Sequence, residues 1–191
     1  MRRIESKERK RKKEKKNQLI IGVVMIALLV FSTAGFALFS GNDETTQENE
    51  KVTHNGYEFI RQNNVWITEI NTKNHAFFFL PTEIKNISID ITNNVLTYTN
   101  KPLYIVNTNA ATNQIAFNLY PEYILRVQNA CLNTTNCTNN YPVKDCQTDN
   151  IIIFQNENDT TNVYQNENCI YIEGDVMKGS DKFLQRLLQI D

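Results

Sequence analysis

The residues best equipped for chemistry are few: Cys131, Cys137, Cys146 and Cys169, the histidines His54 and His75, and the acidic pairs Asp145/Asp149 and Glu173/Asp175. A serine or cysteine nucleophile needs a base, and these two histidines are the whole supply. No Gly-x-Ser-x-Gly elbow occurs, and six scattered glycines make no phosphate-cradling loop. His54 precedes the first recognisable strand and reads as a surface residue. His75 reads as a strand-edge residue hydrogen-bonded locally. Carboxylate pairs could hold a cation or move a proton, but acidic turns on an acidic domain explain these two. The expectation is no catalytic residue, no metal site and no cofactor.

The cysteines are separated by 5, 8 and 22 residues. That spacing lacks the paired hooks of a zinc site and the CxxC of a redox centre. An even number in an oxidising compartment points to two disulfides. Of three possible pairings, the preferred one closes a small loop with Cys131–Cys137 and ties two strands with Cys146–Cys169. Asn86, Asn133, Asn136 and Asn158 each head an Asn-x-Ser/Thr triplet and are candidate glycan acceptors. An Asn-rich chain (27 of 191 residues) yields such triplets by chance, and a bridged Cys137 would hinder Asn136.

The elements that position these residues divide into two halves. Tyr57–Arg61, Val65–Ile70 and His75–Leu80 are short β-branched and aromatic runs parted by Asn-rich turns, the pattern of an antiparallel meander. The aromatic cluster Tyr57, Phe59, Trp66, Phe77, Phe78 and Phe79 reads as its core. Pro81 ends pairing, and alternation over Ile84–Ile91 suggests a half-buried strand. Leu103–Val106, Ile151–Phe154 and Cys169–Ile172 read as buried strands. Ala110, Ala111, Ile115, Leu119, Ile124, Val127 and Cys131 fall at helical spacing, so 110–130 is expected to be one kinked helix or two short ones around Pro121. Residues 155–168 read as a loop. A final helix is expected to start at Ser180 as N-cap and to present Phe183, Leu184, Leu187 and Leu188 on one stripe. The fold class is α+β or α/β: a meander joined to a small helix-covered sheet with two disulfides.

The N-terminal end sets the topology. Residues 2–16 carry ten Lys/Arg against three Glu, and an uncharged run follows from Leu19 to Gly41. At about 1.5 Å per residue, Leu19–Phe39 spans a hydrocarbon core of about 30 Å as a helix, and the basic flank favours a cytoplasmic N-terminus. A cleaved signal peptide and a pilin-type leader are the rival readings. The organisation is a basic cytoplasmic tail (1–18), a transmembrane helix (19–40), a flexible acidic linker (41–53) and an exterior globular domain (54–191). The exterior part holds ten Lys/Arg and eighteen Asp/Glu. That balance argues against nucleic acid as a partner, since phosphate binding needs a basic face.

Tyr57-x-Phe59, Trp66-x-Thr68, Phe79-Leu80-Pro81, Pro142–Cys146, Asn168–Ile170 and Asp181–Ile190 resemble a set of uncharacterised archaeal single-pass membrane-anchored proteins with a C-terminal exterior domain. The resemblance implies the same architecture and no known activity. The expected function is a non-enzymatic binding or surface module at the cell membrane, in contact with the lipid bilayer and a membrane or surface protein partner. The alternatives are an accessory subunit of a larger membrane complex and an exterior hydrolase or thiol enzyme.

Overall fold

A computed structural model describes residues 16, 18, 20–26, 28–29, 50–133, 137, 140–156 and 159–191. Two compact units divide the chain, Met1–Glu48 and Asn49–Asp191. In the first, the described residues 16, 18, 20–26 and 28–29 are helical and are labelled α1. Among the described residues no helix is long and apolar enough to cross a membrane. The basic tail, much of the 19–40 apolar segment and residues 41–49 of the expected linker lie outside the described residues.

The second unit opens with a four-stranded antiparallel sheet in the order β1-β2-β3-β4: β1 (Lys51–His54), β2 (Tyr57–Gln62), β3 (Val65–Ile70) and β4 (Lys73–Phe77). Each link is two residues long, and Asn55-Gly56, Asn63-Asn64 and Asn71-Thr72 all have positive φ. Paired left-handed residues match the twist of a hairpin, and Asn and Gly reach that conformation at least cost. The abundant Asn thus has a structural use here. β1 begins inside the stretch read as linker, so the meander has four strands rather than three. β4 stops at Phe77, short of the expected Leu80.

A six-stranded sheet follows in the order β5-β11-β12-β10-β6-β7. Its strands are β5 (Ser88–Asp90), β6 (Pro102–Val106), β7 (Arg126–Asn129), β10 (Ile151–Gln155), β11 (Asn162–Asn166) and β12 (Cys169–Glu173). The four strands β12-β10-β6-β7 at one side of the sheet are parallel, and β11 returns antiparallel to β12. The helices are α2 (Val95–Tyr98), α3 (Ala110–Leu119) and α4 (Val176–Leu187). A two-stranded parallel pair, β8 (Cys131–Leu132) with β9 (Val143–Lys144), belongs to a lobe between β7 and β10. The architecture is mixed α+β with two closed disulfides, Cys131–Cys137 and Cys146–Cys169, the preferred pairing.

Both faces of the parallel strands are covered, which is why Ile151–Phe154 is apolar without alternation. Leu103, Ile105, Ile152, Phe154, Ile170 and Ile172 form one cluster with Ile115 and Leu119 of α3, Phe183, Leu184 and Leu187 of α4, and Phe59, Trp66 and Phe77 of the meander. Tyr104, Val106, Ala130, Ile151, Ile153 and Cys169 form a smaller cluster on the other face, beneath the disulfide lobe.

Four expectations need correction. Residues 126–129 are a strand, not helix: α3 ends at Leu119, the Tyr120–Pro121 bond is cis, and Val127 pairs beside Leu103. The spacing of Ile124, Val127 and Cys131 imitates a helix, but they belong separately to a loop, a strand and a disulfide. Residues 155–168, read as a loop, contain β11. The strand expected over 84–91 shrinks to Ser88–Asp90. The last helix starts a turn early, with Asp175 as N-cap accepting from the Lys178 N–H at 3.2 Å. Ser180 is instead buried inside that helix. Gly179 is required by the close approach of α4 to β12, since a Cβ there would lie 2.5 Å from Ile172 Cγ2.

Candidate functional site

The join between the meander and the layered core is made by polar side chains. β4 is an edge strand, and an edge must be covered or it recruits another chain. The Ala76 N–H donates to Asn118 Oδ1 (3.0 Å), and the Ala76 carbonyl accepts from Asn118 Nδ2 (2.9 Å) and Gln114 Nε2 (2.6 Å). Asp181 continues the seam: its Oδ2 accepts from the Phe78 and Phe79 N–H groups at 2.7 and 2.9 Å, and its Oδ1 accepts from Gln114 Nε2 at 2.9 Å. Gln185 Nε2 donates to the Phe79 carbonyl at 2.8 Å. Amides and a carboxylate from two helices therefore do what a fifth strand would do.

Burial pushes the Asp181 carboxyl up to about 7, against the pull of its three donors. His75 faces the same interior with no exposure, its ring stacked on Tyr123 at 6.1 Å. Burial, then the Lys73 charge, bring its pKa down to about 4 although the Asn118 amide favours the proton. Neither ring nitrogen has a hydrogen bond of normal geometry, and Thr68 Oγ1, Ser180 Oγ and Gln185 Oε1 are likewise buried without one. His75 is a neutral, enclosed residue on a covered edge, not a base facing a substrate. The expectation of a locally hydrogen-bonded ring is not met: the ring is fully buried and neither nitrogen has a partner of normal geometry among the described residues. This seam was missed in the sequence. Its signal was there: Gln114/Asn118 and Asp181/Gln185 are i, i+4 polar pairs on otherwise apolar helix faces.

The other flagged residues separate. His54 ends β1, opposite Tyr57. Phe59, Trp66 and Phe77 are core as expected, Tyr57 and Phe79 are half-buried, and Phe78 is exposed. Asp145 and Asp149 brace the disulfide lobe. Asp145 Oδ1 accepts from the Gln147 N–H at 2.7 Å, and its Oδ2 accepts from Asn133. Lys144 Nζ lies 3.0 Å from Asp149 and 4.1 Å from the centre of the Tyr104 ring. Burial raises the Asp149 carboxyl, but hydrogen bonds and charge from Lys144 bring it below its ordinary range. Of the candidate glycan acceptors, Asn86 and Asn133 are exposed, and Asn136 and Asn158 lie outside the described residues.

Glu173 and Asp175 have different uses. Asp175 caps α4 and pairs with Lys178 at 3.3 Å. Glu173 accepts from the Tyr164 hydroxyl at 3.0 Å, beside the stacked Tyr164–Tyr171 rings. It also lines a cleft of about 460 Å³ with Asn86, Ser88, Asp159, Thr160, Thr161 and Asn162. This cleft opens beside the carboxyl end of β12, and the carboxyl ends of parallel strands are where open α/β sheets receive ligands. Its amides, hydroxyls and carboxylates can hydrogen-bond a polar ligand. Among the described residues no group of three or more His, Cys, Asp or Glu is arranged to hold a metal ion.

Comparison with protein-family models, with curated proteins and with solved structures finds no match to this chain.

Proposed function

We propose that the protein is a membrane-tethered binding module whose disulfide-stapled domain stands outside the membrane. The observation that carries this reading is the character of the N-terminal helical residues. Ile20, Ile21, Val23, Val24, Met25, Ile26 and Leu28 are each half or more exposed. A helix that is apolar all round needs lipid or another protein around it. The ten basic residues before it favour the cytoplasmic side. The two bridges in the following domain suit an oxidising exterior. A binding role is supported by the cleft beside Glu173, whose amides, hydroxyls and carboxylates offer hydrogen bonds to a polar ligand.

The test is made on native membranes. The chain should stay with the membrane through an alkaline carbonate wash. In sealed cells a membrane-impermeant maleimide should label its cysteines only after external reduction. Release by carbonate, or labelling without reductant, would refute the tethered exterior reading. Turnover of a peptide, glycan or phosphoester by the purified protein would refute the binding-module part. Capture of a partner at fixed stoichiometry in mild detergent would make it a subunit of a larger membrane complex.

A further inference from the structure

The face of the six-stranded sheet turned from the helices is covered only in part. Tyr104, Val106, Ile151, Ile153 and Cys169 lie beneath the disulfide lobe, and no residue of β5 or β11 belongs to that cluster. Strand register sets two rows that run from β10 out to the edge strand β5. Ser88 of β5, Asn162 of β11, Glu173 of β12 and Gln155 of β10 stand side by side, and two residues along come Asp90, Tyr164, Tyr171 and Ile153. Between the rows, Ile89, Val163, Ile172 and Phe154 turn to the opposite face and into the main core. Ser88 and Asp90 are exposed, and Asn162, Tyr164, Tyr171, Glu173 and Gln155 are half-buried. At about 4.8 Å between strands, a row of four is about 14 Å long.

The first row is polar and the second is centred on two aromatic rings. One hydrogen bond joins them, from the Tyr164 hydroxyl to Glu173 Oε1 at 3.0 Å. The Tyr164 and Tyr171 rings are stacked with centroids 4.9 Å apart and planes 3° from parallel. Tyr171 packs in addition against the lobe cluster. The other neighbour of Tyr164 is Asp90, short and exposed on an edge strand, so the Tyr164 ring keeps a face toward β5. Ser88, Asn162 and Glu173 of the polar row line the cleft of about 460 Å³, with residues 159–161 as its wall. That wall is held down at the turn after β12. The Asp175 N–H donates to Thr161 Oγ1 at 3.1 Å, and a Cβ on Gly174 (φ +75°) would lie 2.8 Å from the Thr160 carbonyl oxygen.

The lining of this cleft discriminates between ligands. It holds two carboxylates, Asp159 and Glu173, and no Lys, Arg or His; Lys85, beside Asn86 in sequence, is not part of it. An anion would meet like charge there. An apolar ligand would find no Leu, Ile, Val or Phe in the lining to pack on. An organic cation would use the carboxylates but leave the N–H groups of Asn86 and Asn162 and the hydroxyl protons without acceptors. A sugar uses the whole set. Each of its hydroxyls both donates and accepts, as amides, hydroxyls and carboxylates together require. The C–H face of its ring carries the slight positive charge that an aromatic face attracts. We propose that the cleft binds a neutral oligosaccharide, with one sugar ring stacked on Tyr164 and its hydroxyls held by Ser88, Asn162 and Glu173. This rests on the binding-module reading, whose ligand class it names.

The full-length protein, in a detergent without a sugar head group, is titrated by calorimetry with neutral hexasaccharides of glucose (α- and β-linked), mannose and N-acetylglucosamine, and with spermidine for comparison. At least one oligosaccharide should bind saturably. Tyr164→Ala and Asn162→Ala should each weaken it about tenfold, the size of a lost stacking or hydrogen-bonding contact. Tyr164→Phe keeps the ring and should retain most of the affinity. Phe78→Ala, an exposed ring after β4, should retain all of it. No binding of any oligosaccharide, or binding that Tyr164→Ala and Asn162→Ala leave unchanged, overturns the proposal. Spermidine binding that those variants weaken, without sugar binding, overturns the sugar and leaves a binding module. New reducing ends in the titrated mixture support the ligand class and refute the binding-module reading.

Discussion

On one face of the six-stranded sheet, Ile152 and its neighbours lie under two helices and the buried side of the meander. On the other, Ile153 and its neighbours lie under a lobe with two short strands and two disulfides. The helical face buries many large side chains, so packing alone can hold it. The lobe face buries six residues in its core cluster and adds covalent and ionic bracing: Cys131–Cys137, Cys146–Cys169 and the Lys144–Asp149 pair over Tyr104. The difference teaches that staples are placed where apolar area is thin, the same logic that makes small exterior domains rich in disulfides.

Adjacent residues on one strand give the sharpest break of that comparison. Ile152→Ala should cost about 4 kcal/mol and Ile153→Ala about 2, both within the range for large-to-small core changes. Urea midpoints with both bridges intact would measure them. Equal costs would show that the lobe face packs as tightly as the helical one.

Removing the bridges tests the other side. Replacing Cys146 and Cys169 by Ser frees a separation of 23 residues, and the Cys131/Cys137 pair one of 6. Loop-closure entropy assigns these about 3 and about 2 kcal/mol. Cys169 is buried against Tyr104 and Ile151, so the first loss should be the larger. A greater loss from the Cys131/Cys137 pair would reverse the ranking.

The seam adds a pH signature that neither face provides. Asp181 has its folded pKa raised to about 7. Its contribution is present below the ordinary carboxyl range near pH 4 and is lost as pH rises through about 7. His75 runs the other way. With its pKa brought down to about 4, its contribution is present above pH 6.5 and lost as pH falls through 4. Asp181→Asn should flatten the neutral limb of a stability–pH curve and leave the acid limb, while His75→Phe should relieve the acid limb. Unchanged curves in both variants would remove the seam as a pH-dependent element. The smallest effect is at the edge of the helical face: Asp175→Ala should cost about 1 kcal/mol through the lost cap, read as a small shift in the thermal midpoint.

Much of the fold was legible in the chain because it is locally encoded. Two of the three hairpins were legible from Asn-led pairs that tolerate positive φ, at Asn63-Asn64 and Asn71-Thr72, while the first was hidden because β1 lay in the stretch read as linker; the buried runs at 103–106, 151–154 and 169–172 follow from apolar continuity. The sequence favoured the observed disulfide pairing among three possible ones without fixing it; which cysteines meet was decided by the fold. Residues 126–129 were misread because a parallel strand is made by its neighbour, and nothing within those four residues announces β6. The start of α4 was misread because Gly179 and Ser180 look like a helix entrance, while their real constraint is the proximity of Ile172. Among candidate site residues, Glu173 was legible as a carboxylate at a strand end, but its cleft needs Asn86 and Ser88 from some 85 residues away. Local sterics and periodicity thus determined the turns, the strands and which side chains turn inward. Pairing between distant segments alone decided the strand order and the covering of β4 by Gln114 and Asn118, because those contacts depend on partners that no local window contains.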